Sequence, residues 1–321
     1  MKLKRVWHGR IGKLMQEHLE LRESIGKVSP ADLIYLHQFD LYLHKHHPKL
    51  KLPNRHIILH FLSLRPNLSP WGRRNLVIAI RQFCRFLNQR GLRCYTPDKT
   101  LTPKLQYKPR FFALTEKDVC RLMNGARTIR KNKPFVGETY AVIIGLLWCT
   151  GMRRKEVINL THSDVDLKAK TILIRMTKFR KTRMIPVEAS VVLILTRYLS
   201  MKKKLDYKTA PDEPFFTGLT GKRVRGSNLQ HTFRRFVDRL GISNSSGQHP
   251  VLHDLRHNFA TKTLNRFYSD TENYSPQSYL PTLATYLGHT DMTYSQHYLH
   301  PDFDLLQKAS HLIEKRQKRA A

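Results

Sequence analysis

The chain has 321 residues, room for about two domains of ordinary size, and 40% of them are hydrophobic, which excludes a disordered tail. Lys and Arg total 57 against 24 Asp and Glu, a net charge of +33 spread along the whole length. The expected partner is therefore a polyanion, with nucleic acid the first choice. The most apolar run, residues 140–150, is shorter than the ~20 residues of a membrane span. The first residues lack the apolar stretch of a signal peptide. Cys84, Cys94, Cys120 and Cys149 form no Cys-x-x-Cys pair. A cytoplasmic protein with reduced thiols and no membrane partner is expected.

Residues 11 to 95 read as several helices. The clearest begins at Ser69-Pro70, a cap followed by a first-turn proline, and ends at Gly91. At ~100° per residue, Leu76, Ile80, Phe83 and Leu87 share an arc of about 60°, while Arg74, Arg81 and Arg85 share about 40° on the opposite side. One face is expected in a core and the other on phosphates, so these three arginines are candidate DNA contacts. The run around His44, His46 and His47 reads as a solvated helix end. Residues 96–110 hold Pro97, Pro103 and Pro109 among basic residues and show little periodicity. The expected division is a helical domain over 1–100, a linker over 101–110 and a second domain over 111–321.

In that second domain Thr115 reads as a helix cap. An apolar helix is expected over 137–149, stopping at Thr150-Gly151, with a new helix near Arg153. The β-rich runs 171–176 and 182–187 are close enough to form a hairpin. Helices are expected near 188–201, 227–240, 251–267, 278–287 and 303–317. The whole reads as mainly α with a small β-hairpin or sheet, an α+β chain in two domains.

The chemistry-bearing residues fall in four motifs. Thr150-Gly151-Met152-Arg153 is followed by Glu156 and Leu160. Lys178 lies in the hairpin turn, eight residues before Pro186. His253-Asp254-Leu255-Arg256-His257 comes next. Leu287-Gly288-His289 is followed nine residues later by Tyr298. An arginine, two histidines and a tyrosine near the end of so basic a chain suit attack on a phosphodiester.

Over residues 110 to 300 these motifs resemble the catalytic domain of the tyrosine recombinases, the phage-integrase family. The resemblance implies a two-domain DNA clamp with an N-terminal core-binding domain. It implies a nucleophile at Tyr298, an arginine pair at Arg153 and Arg256, and further catalytic groups at Lys178, His253 and His289. Glu156 would orient an active-site arginine, and His257 would stand behind the reacting groups. The implied function is a site-specific recombinase that cleaves and rejoins DNA through a covalent 3′-phosphotyrosine, for integration or excision of a mobile element. The implied partners are double-stranded DNA, further copies of the chain in a tetramer on synapsed DNA, and accessory recombinases. In bacteria it would work at the nucleoid. The absence of an arm-binding segment ahead of residue 11 suggests a minimal recombinase. The alternatives are a type IB-like topoisomerase and a non-catalytic regulator on the same fold.

The residue chemistry agrees. Arginine keeps its charge and presents a planar fork to two phosphate oxygens. A tyrosine with a pKa near ~10 must lose its proton as it attacks, and a neutral imidazole such as His253 can accept it. A lysine can protonate the leaving 5′ oxygen. His289 would hydrogen-bond the scissile phosphate. The phosphotyrosine conserves the energy of the broken bond, so neither ATP nor a metal cofactor is expected.

Tyr294 and Lys181 are the nearest rivals of Tyr298 and Lys178, but their spacing departs from the family pattern. His253 and His257 have the spacing of zinc ligands, yet Asp254 stands where a zinc protease would need Glu. One departure remains. Arg256 and His289 are 33 residues apart, and the extra length, 267–278, is polar and reads as a turn-like insertion that loops out, suited to protein–protein contact.

Overall fold

The computed structural model describes residues 6–103, 111–128, 134–175, 182–269 and 276–288. The chain divides into two compact units, Met1–Lys108 and Pro109–Ala321. Of the expected linker, residues 104–110 lie outside the described residues, and Leu101 packs against the core of the first unit.

The first unit has four helices: α1 (Gly9–Ser24), α2 (Pro30–His46), α3 (Arg55–Ser63) and α4 (Pro70–Gln89). Their starts are written locally. Ser29 and Asp32 form a capping box ahead of α2, the Asn54 side chain accepts from Ile57 N, and Ser69 Oγ accepts from Gly72 N. Phe39, Phe61 and Phe83 are fully buried at the centre. On α4 the expected stripe of Leu76, Ile80, Phe83 and Leu87 is buried, and burial extends to Val77, Cys84 and Phe86, so about half the cylinder is covered. His18 is enclosed with Phe83 and Phe86, at ring separations of 5.9 and 5.0 Å. In the histidine run His44 and His46 are exposed, while Tyr42 turns inward and bonds His60 Nδ1 at 2.7 Å.

The second unit is built on α5 (Glu116–Thr128), α6 (Pro134–Thr150), α7 (Arg154–Asn159), strands β1 (Val165–Asp166), β2 (Thr171–Ile174) and β3 (Arg183–Pro186), then α8 (Ala189–Lys204), α9 (Gly226–Arg239), α10 (Leu252–Ser269) and α11 (Pro276–Leu287). Helix α6 is apolar on nearly every side and runs through the core, as Val142, Ile143, Ile144, Leu146 and Leu147 record. The sheet is antiparallel in the order β1-β2-β3, and the pair Ile172↔Ile185 faces the core. The fold is thus mainly helical with a small antiparallel sheet.

Three expectations need correction. The apolar helix starts at Pro134, with proline in the first turn, rather than at 137. The two-residue strand β1 was not foreseen, because two residues are too few to show a period of two. The segment 267–278 is not a turn-like insertion throughout. Residues 267–269 still belong to α10 and 276–278 begin α11, leaving only 270–275 outside the described residues. Phe267 follows Ala260 and Leu264 in the sequence at helical spacing within α10, and Pro276 opens the next helix.

Candidate active site

Helix α6 ends at Gly151, whose φ is +59°, and a Cβ there would lie 2.3 Å from the Phe259 ring. Only glycine allows this reversal so close to α10. The turn delivers Arg153 to the start of α7. There the Glu156 carboxylate accepts from the Arg153 backbone N–H at 2.8 Å and from Arg153 Nη1 at 2.9 Å. One acidic residue therefore closes the first turn and orients the guanidinium above it.

Helix α10 is fixed at both sides of its own start. Asp254 Oδ2 accepts from Val251 N at 2.7 Å. Asn258 accepts from Leu114 N at 2.9 Å and donates to Phe112 O at 2.7 Å, which fastens the segment ahead of α5 to α10. On the first turn His253 is exposed, and its ring meets the His257 ring edge to face at 4.4 Å. Arg256 is only 2% exposed. It donates through Nη1 to Gly151 O at 2.7 Å and through Nη2 to Leu287 O at 2.9 Å.

The three arginines of this region meet at the end of α11. Its three consecutive carbonyls, those of Tyr286, Leu287 and Gly288, accept from three different guanidinium groups. Arg183 Nε reaches Tyr286 O at 2.8 Å, Arg256 Nη2 reaches Leu287 O, and Arg153 Nη2 reaches Gly288 O at 2.8 Å. A helix C-terminus leaves such carbonyls without helical partners and carries partial negative charge, so cations bind there. Otherwise α11 rests on α10 through the small cluster of Ala260, Leu264, Leu283 and Leu287. The arginines thus position the end of α11, and α11 positions the arginines.

Arg183, on β3, was missed in the sequence. It donates to Glu156 through both Nη atoms, at 3.1 and 2.8 Å. Burial pushes Glu156 up, but the bonds from Arg183 and Arg153 outweigh it and hold the carboxyl below its usual range. Tyr286 lies beside the arginines too. Burial raises its phenol to about 12, against the pull of Arg183 and Arg256, and it stacks on Phe259 at 5.6 Å.

Arg153, Arg256, His253, His257 and Glu156 are thus brought to one end of the second unit. Lys178, His289 and Tyr298 lie outside the described residues, His289 directly after Gly288. In the first unit, Arg85 is exposed on α4 and Arg74 half-buried. Arg81 is half-buried as well, with its Nε shielded and unbonded, and its charge acts on Asp98. Arg153, a third exposed in its side chain, and the buried Arg256 are both held by backbone carbonyls, so their positive charge is fixed in place.

The model of the phage integrase family matches residues 113–304. The chain belongs to the phage integrase family. It is a recombinase of the tyrosine type, an enzyme of DNA strand exchange. A relative in Sinorhizobium fredii, the proposed integrase/recombinase y4rE, is 30% identical over 302 residues, which span 94% of each chain. The solved XerH site-specific recombinase, bound to a palindromic difH substrate after cleavage, matches with a TM-score of 0.61 at 21% identity, over 95% of this chain and 85% of its own. The Tn1549 transposon integrase in complex with a circular-intermediate DNA matches with a TM-score of 0.63 at 16% identity, over 94% of this chain and 99% of its own. At these identities the solved structures speak for the fold. Among the described residues no helix is long and apolar enough to cross a membrane.

Proposed function

We propose that this recombinase cleaves and rejoins double-stranded DNA through a 3′-phosphotyrosine on Tyr298, in the integration or excision of a mobile element. Arg153 and Arg256 hold the non-bridging oxygens of the scissile phosphate, and His289 hydrogen-bonds the same group. As the Tyr298 oxygen bonds phosphorus, its proton passes to His253 and the bond to the 5′ oxygen breaks. Lys178 protonates that oxygen. The 5′ hydroxyl of another strand then attacks the phosphotyrosine, which restores the tyrosine and seals the exchanged strand.

The observation that carries this reading is the lacing of Arg153 and Arg256 onto Gly288 and Leu287. It ties both arginines to the residue before His289 and to the segment leading to Tyr298. The solved relatives on DNA support the substrate class, and the basic face of α4 supports a clamp in which Arg74, Arg81 and Arg85 contact phosphates. Strand exchange between two duplexes calls for several copies of the chain, so a tetramer on synapsed DNA is part of the proposal.

The test is a nicked duplex that traps the covalent intermediate by losing its short 5′ strand. Tyr298→Phe is expected to bind the duplex with unchanged affinity and to form no adduct. An adduct still present with Tyr298→Phe would end the assignment. Exchange between two plasmids separates a recombinase from an enzyme that only relaxes DNA.

A further inference from the structure

The cleavage reading gives two arginines to the phosphate, and the structure holds a third that this chemistry does not use. We infer that Arg183 is a positioning residue for the cleavage step, which occupies Glu156 and the end of α11 so that the charge of Arg153 is directed at the phosphate. The inference rests on the reading of Arg153 as a phosphate ligand.

Arg183 is 13% exposed in its side chain, and its Nε and both Nη atoms are bonded within the protein. Three of its five N–H donors therefore hold Glu156 and Tyr286 O. Its charge still matters there. Glu156 takes bonds from Arg153 and from Arg183. Two guanidinium charges against one carboxylate leave the group at net +1. Without Arg183 the pair would be neutral, and Glu156 would be open to pairing with both Nη atoms of Arg153. The electrostatic pull of Arg153 on a phosphate would fall accordingly.

The location carries the second part of the argument. Arg183 stands on the returning strand of the hairpin, five residues after Lys178. Through Glu156 it ties that strand to α7, and through Tyr286 O it ties it to α11. One side chain thereby fixes β3 against the elements that bear two of the other motifs. It also accounts for Gly288. A Cβ there would lie 2.8 Å from Arg183 Nη1, which is pinned by Glu156 and cannot move aside, and the φ of +68° is itself costly for any other residue.

The test uses the full-length protein on the nicked duplex, with DNA affinity and single-turnover cleavage measured separately and folding checked by thermal melting. Arg183→Gln is expected to keep its DNA affinity within about twofold and to cleave about 100-fold more slowly, the scale of an active-site displacement of one ångström. Arg183→Lys, which keeps the charge but not the fork, should recover about tenfold of that loss. Adding Glu156→Gln to Arg183→Gln removes the carboxylate that would capture Arg153, so the double variant should cleave faster than Arg183→Gln alone. Wild-type cleavage by Arg183→Gln would overturn the inference. So would a double variant slower than the single one, or equal losses with Gln and Lys that track a lower melting temperature. If the wild-type protein forms no adduct, it is the cleavage reading that fails, and the two failures are told apart.

Discussion

The two units use arginine in opposite ways. On α4 of the first unit, Arg73, Arg74, Arg81 and Arg85 share a helix of 20 residues that contains no acidic side chain. At the end of α11 in the second unit, Arg153, Arg183 and Arg256 are bonded to backbone carbonyls, and two of them to one buried carboxylate. A cation in the first setting keeps contact with solvent and acts at a distance, so salt screens it. A cation in the second acts locally, keeps its geometry and leaves little for salt to screen. Net charge and active-site charge are thus separate properties, even when the same residue type supplies both.

The largest effect should come from breaking the fixed set. Arg256→Lys keeps a positive charge, but an ammonium cannot donate to Gly151 O and Leu287 O through a planar fork. Single-turnover cleavage at saturating DNA should fall by about 100- to 1,000-fold, with affinity nearly unchanged. Cleavage within tenfold of wild type would mean that charge alone matters and would erase the contrast.

A smaller effect of the reverse kind is expected on α4. Alanine at Arg74, Arg81 and Arg85 together should weaken binding and flatten its salt dependence by about one unit of log–log slope per lost phosphate contact. Cleavage at saturating DNA should be unaffected. Because Arg85 is exposed while Arg74 and Arg81 are half-buried, most of the change in slope should come from Arg85. An unchanged slope in the triple variant would remove α4 from the interface.

What could be read in the sequence, and what could not, follows the same division. The motifs around Arg153 and Arg256 are legible through the resemblance to the family, and the helices because their apolar stripes repeat at 3.6 residues. Arg183 is not legible. Its partners Glu156 and Tyr286 lie 27 and 103 residues away, and beside Lys178, Arg180 and Lys181 it looks like one more cation of a basic turn. The ends of the segment 267–278 are helical in spite of their polar composition, because α10 continues to Ser269 and Pro276 opens α11.

The smallest effect sets the units side by side under acid. His18 in the first unit is lowered to about 4 by burial and by the nearby Arg22. His162 in the second is lowered to about 4 by burial and by Lys202 and Lys203. Lys202 is itself buried, lowered to about 8, and bonds His162 Nε2 at 2.9 Å. Above pH ~6.5 both imidazoles are neutral in the folded and unfolded chain, and titration contributes nothing. As the pH falls from ~6.5 toward about 4, the unfolded chain takes up protons that the folded one refuses, so stability is lost across that window and the loss is complete below it. For His18 this amounts to about 2–3 kcal/mol. The effect of His162 should be smaller, because its ring is only half-buried. His18→Phe, which suits a site lined by Phe83 and Phe86, should flatten the fall in melting temperature between pH 7 and pH 4.5 for the first unit only. An unaltered pH dependence would show that His18 is not the group that titrates.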